Sequence, residues 1–151
     1  MTQEVVQAKA VFPSLEWFQL LKDMVNGDDG FRRIGTCDTT MGIKITDRQR
    51  YYLVTFEAFE VADVREVSEE EAEEADFWLE GPLSLWREML ENIKAHGKAD
   101  HYHTLNTIDL ELPEGFARSH DGLRRDAFYR FNQSLQYFFN ASSRIDTVFE
   151  D

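Results

Sequence analysis

The side chains with the most capacity for chemistry in this chain are two histidines and a scatter of acids. His101 and His103 stand two positions apart in a run, His101 to Leu112, that reads as a strand, so both imidazoles would face one side. Two imidazoles do not make a metal site. Asp109 or His120 could be offered as a third ligand, but no spacing supports either, and no metal is assigned. The pair reads instead as part of a polar face or a pocket mouth. There His103 could hydrogen-bond a ligand hydroxyl or carbonyl, with a charge sensitive to pH. Asp38, Glu57 and Asp63 fall on extended segments. In an apolar pocket one of them would have a raised pKa and could take a proton from a steroid-like substrate. Acids on strands more often face solvent. Cys37, the one cysteine, falls at a core-facing phase and reads as a buried, inert thiol. Arg124, Arg125 and Arg130 could meet a carboxylate or a CoA phosphate, but read as the solvated face of a helix. There is no phosphate loop, no dinucleotide glycine fingerprint and no nucleophile elbow. No catalytic residue and no cofactor is assigned.

Composition narrows the partners. The 151 residues suit one domain with a substantial core. Acids number 29 against 16 basic residues, a formal charge of −13, which argues against nucleic acid and anionic membrane surfaces. Aromatic residues make up 13% of the chain and Phe alone accounts for 12 positions, too much apolar surface for a disordered protein. A lone cysteine permits no internal disulfide, Met1 to Ala10 lacks a signal-peptide pattern, and no apolar run approaches a membrane span. The expectation is a cytoplasmic protein with no integral membrane association.

The elements that must position these groups follow from periodicity. Residues 1–12 read as a flexible arm, 13–145 as a single domain, and 146–151 as an acidic, frayed tail. Ser14 starts a helix with Trp17, Phe18 and Leu21 on one face, ended by Asn26-Gly27. From Phe31 to Ile45 the period becomes two, as in a half-buried strand, and Thr46 to Gln49 is a hairpin loop. Tyr51 to Val67 is a second extended run. Its phase slips near 58–60, through a bulge or through burial on both faces. Ser68 and Glu71 form a capping-box pattern in an acidic stretch, 68–74, that reads as a solvated connection. A short strand over Asp76 to Glu80 carries Phe77 and Leu79. Gly81-Pro82 then opens a helix with Trp86, Met89, Leu90 and Ile93, capped by Gly97. After the His101–Leu112 run, a last helix from Leu123 to about Ser143 carries Phe128, Phe131, Leu135 and Phe138 on one face.

This order, and the stretch Ala75-Asp76-Phe77-Trp78-Leu79-Glu80-Gly81-Pro82-Leu83-Ser84-Leu85-Trp86-Arg87-Glu88-Met89-Leu90, resembles the sterol carrier protein 2 family. The stretch matches that family's Ala-Asp, apolar strand, turn and leucine-rich helix. The resemblance covers about residues 13–143. It departs in His101 to Asn106, where the family has a Gly-Lys-rich strand, and in the acidic 68–74 insert. It implies an α+β fold in which one twisted, mainly antiparallel sheet is covered by helices, with an apolar pocket between the layers. That pocket would hold a sterol, fatty acid or acyl-CoA without turnover. Its expected lining is Trp17, Phe18, Leu21, Phe56, Phe77, Leu79, Trp86, Met89, Leu90, Ile93, Phe128, Phe131, Leu135 and Phe138, with His103 at its mouth. Two other readings stay open. One is a small enzyme on a steroid-like or acyl substrate using a pocket carboxylate or histidine. The other is an acidic interaction subunit docking onto a larger enzyme. A homodimer is also compatible with the sequence.

Overall fold

The computed structural model describes residues 8–150. Within the expected arm, residues 1–7 lie outside the described residues, but Ala8–Phe12 form a strand, β1. Helix α1 (Leu15–Asn26) begins where Ser14 Oγ accepts the Trp17 N–H at 3.1 Å. It buries Trp17, Phe18, Leu21 and Val25. Asn26 then pins an edge strand, donating to Val61 O at 2.9 Å and accepting the Val61 N–H at 2.7 Å.

The strand expected from Phe31 starts later. Asp28 caps a short helix, α2 (Asp29–Ile34), through the Gly30 N–H, so Phe31 is buried from a helix. Cys37 precedes the strand proper, β2 (Thr39–Ile45), and is buried all the same. The phase slip near 58–60 marks a chain reversal. β3 (Arg50–Glu57) turns at Ala58, whose φ is 52°, into β4 (Glu60–Glu66), with a register irregularity at Thr55/Phe56.

The acidic stretch is not a free connection. Helix α3 (Glu69–Glu73), with its Ser68–Glu71 capping box, lies across the outer face of the sheet. Ala72 is buried against Gly42 of β2, where an added Cβ would stand 2.4 Å from Ala72 O and 2.8 Å from Trp78 Cβ. Lys44 reaches Glu73 at 2.5 Å, Glu69 at 3.4 Å and Glu80 at 3.6 Å, and lies over the Trp78 ring. Burial lowers the Lys44 pKa, but the Glu73 hydrogen bond and the three carboxylates outweigh it, and the ammonium is held above its ordinary value. Helix α3 on one face and the core on the other bury β2 almost throughout.

β5 (Phe77–Gly81) runs parallel to β2 and leads into α4 (Leu83–His96), which Gly97 ends at φ 81°. The run from His101 is a turn followed by a helix, α5 (Leu105–Glu111), not a strand. Thr104 caps it by accepting the Thr107 N–H, and Leu105 and Ile108 bury one turn apart. Two residues, Ala117–Arg118, form β6. The last helix is broken. α6 (Gly122–Arg130), capped by Asp121, and α7 (Asn132–Asn140) meet at Phe131, and a 3-10 turn follows over Ala141–Arg144. The expected tail forms β7 (Ile145–Phe149), which pairs in parallel with β1 from Ala8↔Ile145 to Phe12↔Phe149. Among the described residues, β4-β3-β2-β5-β6 make one sheet, antiparallel except at β2–β5, and β1-β7 a second small one.

Candidate apolar ligand site

Alternation along the strands places Met41, Ile43 and Ile45 of β2, Tyr52, Val54 and Phe56 of β3, and Phe77 and Leu79 of β5 on the core face. Helices close over this face ring against ring. Phe18 of α1 meets Tyr52 at 4.7 Å between centroids, Phe138 of α7 meets Phe56 at 5.5 Å, and Phe128 of α6 meets Phe77 at 5.6 Å. Trp86 of α4 packs on Phe116 and Phe139, and its Nε1–H donates to Lys44 O at 3.2 Å.

The expected lining residues are therefore gathered in one place. Trp17, Phe18, Leu21, Phe56, Phe77, Leu79, Trp86, Met89, Leu90, Ile93, Phe128, Leu135 and Phe138 are all at most 3% exposed and share one cluster. Phe131 is half-buried at the α6–α7 break, packed against the outside of that cluster with Arg130 over its ring. The clustered side chains pack on one another across the interlayer space.

Among the described residues, one side-chain polar atom of this cluster is left without a hydrogen bond. Tyr52 is 0% exposed, and its Oη has no hydrogen-bond partner. Burial pushes its pKa up to about 12, and Glu66 acts in the same direction. The Arg50 guanidinium lies close by and acts in the opposite direction, favouring the phenolate. Nothing in the sequence marks Tyr52 apart from its strand phase.

Tyr52 lies toward the end of the sheet at which Ile45 faces both Arg50 and Gly81. A cleft of about 440 Å³ opens at that end, lined by Thr46, Gly81, Pro82, Leu85, Leu112 and Arg118 among others. Leu85 and Leu112 pack directly on the core cluster. The cleft thus has an apolar floor that borders the core cluster, with Glu80, Glu114 and Arg118 also in its lining.

The expected polar groups are held elsewhere. His103 sits in the turn between α4 and α5, with Nδ1 2.7 Å from Asp100 and Nε2 3.4 Å from Glu88. His101 is exposed. The two do not share a strand face, because there is no strand. Among the described residues no group of three metal-ligating side chains converges. Asp38 is exposed and accepts the Ala58 N–H, Glu57 is exposed, and Asp63 pairs with Arg65. The arginines of α6 are engaged within the chain. Arg124 holds Asp76 and Glu74 O, Arg125 holds Asp109, and Arg130 holds Asp126.

Asp109 is a buried acid that sequence reasoning placed only as a doubtful metal ligand. It accepts from the Phe116 and Ala117 N–H groups, from Arg125 and from Tyr129 Oη. With its lone pairs so occupied it ties α5, β6 and α6 together.

No protein-family profile matches the chain, and no curated protein matches it in sequence. Solved structures do. The crystal structure of sterol carrier protein 2 superposes with a TM-score of 0.62 at 15% identity, covering 86% of this chain and 95% of that one. The solution structure of a conserved hypothetical protein of Thermus thermophilus, described as possibly a sterol carrier protein, superposes with a TM-score of 0.58 at 16% identity, covering 91% and 94%. These two superpositions, each spanning most of both chains, show that this chain has the fold of sterol carrier protein 2.

Proposed function

We propose that the chain binds a lipid between its sheet and its helices and carries it without chemical change. The observation that carries this reading is the continuous aromatic interlayer, on this fold, with an apolar cleft at one end. A lipid entering by the Leu85–Leu112 cleft would exchange ring-on-ring contacts for contacts with itself, at little net cost in buried apolar area. Affinity would come from apolar burial, roughly 25 cal/mol per Å² before ordering costs. The acids considered for proton abstraction are exposed or paired at the surface, which favours a carrier over an enzyme. The lining set named above, Phe131 excepted, is the proposed contact surface.

The test is uptake. Purified protein is titrated with the neutral fluorophore Nile red, then with unlabelled lipids in competition. Saturable, one-to-one displacement supports the carrier. Loss of uptake on Leu85→Asp, with the fold retained by circular dichroism, would place the entry at the cleft. Failure of every lipid to displace or bind would end this reading.

A further inference from the structure

The orphaned hydroxyl of Tyr52 bears on which lipid fits, an inference that rests on the carrier reading and narrows it. In the unfolded chain that hydroxyl is hydrated. Folding removes it from water and leaves it without a well-formed hydrogen bond, an arrangement most buried polar groups avoid. A guest lying against Phe18 and Tyr52 would supply the missing partner.

The charges around Oη choose among possible partners. Arg50, two residues earlier on the same strand face, is already shared with Glu150 at 3.5 Å. Glu150 Oε2 is itself shielded and unpaired. Glu66 stands opposite Tyr52 in the β3–β4 register. A guest carboxylate placed there would meet two carboxylates and one guanidinium already in use, in a chain of net charge −13. An uncharged oxygen meets no such opposition and accepts a hydrogen bond from the phenolic O–H. The phosphates of a CoA conjugate would find no free cradle on α6, since Arg124, Arg125 and Arg130 hold acids of this chain.

We propose that Tyr52 Oη anchors the head of an uncharged lipid with a single polar head group, an alcohol or an ester, and that the site discriminates against free acids of the same chain length. Specificity of this kind arises because the acid must lose hydration without regaining it, whereas the alcohol does regain a partner.

Hexadecanol and palmitate, compared by displacement of Nile red at about pH 8, where palmitate is ionised, test the idea. Wild-type protein and Tyr52→Phe are measured side by side, with folding of the variant checked by its urea midpoint. Hexadecanol should bind at least about tenfold more tightly than palmitate, a difference of about 1.4 kcal/mol. Tyr52→Phe should weaken hexadecanol by about three- to tenfold, the worth of one neutral hydrogen bond. Palmitate binding as tightly as hexadecanol overturns the discrimination. Unchanged hexadecanol affinity in the variant overturns the anchor. In both cases lipid binding itself, and so the carrier reading, survives. If neither lipid nor Nile red binds either protein, the carrier reading fails and takes this inference with it.

Discussion

Replacing Tyr52 by Phe should make the empty protein more stable, the reverse of what a core substitution ordinarily does. The ring stays where it is, 4.7 Å from Phe18, and only the oxygen is deleted. That oxygen is shielded from water and unpartnered. A buried hydroxyl in that condition costs about 1–3 kcal/mol relative to one that keeps its hydrogen bond. The nearby Arg50 guanidinium returns part of this, so we expect a gain of about 1 kcal/mol. For a chain of this length that corresponds to a rise of about 2–4 °C in Tm. In urea, with a slope of about 2 kcal/mol per molar, the midpoint moves up by about 0.5 M. The slope should be unchanged, since the substitution exposes no new surface. Equilibrium urea unfolding followed by tryptophan fluorescence reads both. A lower midpoint would mean that the hydroxyl is satisfied in the folded protein, and the anchoring argument would lose its basis. Retaining a destabilising group is what a binding site does when the group is used only with ligand present.

Other consequences follow from particular contacts. Asp109→Ala leaves two main-chain N–H groups, Arg125 and Tyr129 without their acceptor, and should cost about 3 kcal/mol in the same urea assay, with Asp109→Asn costing less. Glu73 and Asp28 are held below the ordinary values of 4.5 and 3.8, Glu73 chiefly by the Lys44 hydrogen bond and Asp28 chiefly by that of Tyr137. Folded values depressed in this way stabilise the protein above the unfolded values, and the contribution is lost as pH falls through the folded ones. Stability should therefore decline from about pH 4.5 downward, and Glu73→Gln with Asp28→Asn should flatten that decline in a pH series of thermal melts. Burial pushes the Cys37 thiol up to about 12, so a disulfide reagent should react with it only when the protein unfolds, at a rate that tracks the urea curve. Gly42→Ala should push α3 off the sheet and cost about 1–3 kcal/mol, with faster hydrogen exchange confined to residues near Ala72.

How much of this was legible in the sequence depends on the range of the interaction concerned. The α1 and α4 faces, the hairpin loop at 46–49, the Ser68–Glu71 box and the Gly97 cap are local and were readable from spacing and capping residues. The alternation at Phe31 misled because the Asp28 cap supplies a hydrogen bond that a strand start would forgo. The run from His101 misled because a seven-residue helix shows too few turns to separate its period from alternation, and the Thr104 cap was the signal that could have decided it. The β1–β7 pair joins the two ends of the described chain, and nothing local announces such pairing. For the site, phase along the strands and helices was enough to identify which side chains face inward. The orphaned state of Tyr52 was not readable, since it depends on what fails to approach from other elements. The acidic stretch read as solvated because its counter-charge, Lys44, arrives from the sheet.

The measurement with most bearing on the proposed function is native mass spectrometry of the protein as purified, followed by denaturing extraction and identification of whatever is released. A one-to-one complex with a neutral lipid bearing an alcohol or ester head is the predicted result. A protein that is empty and takes up neither Nile red nor any lipid supplied from vesicles would contradict it, leaving the aromatic interlayer as ordinary core.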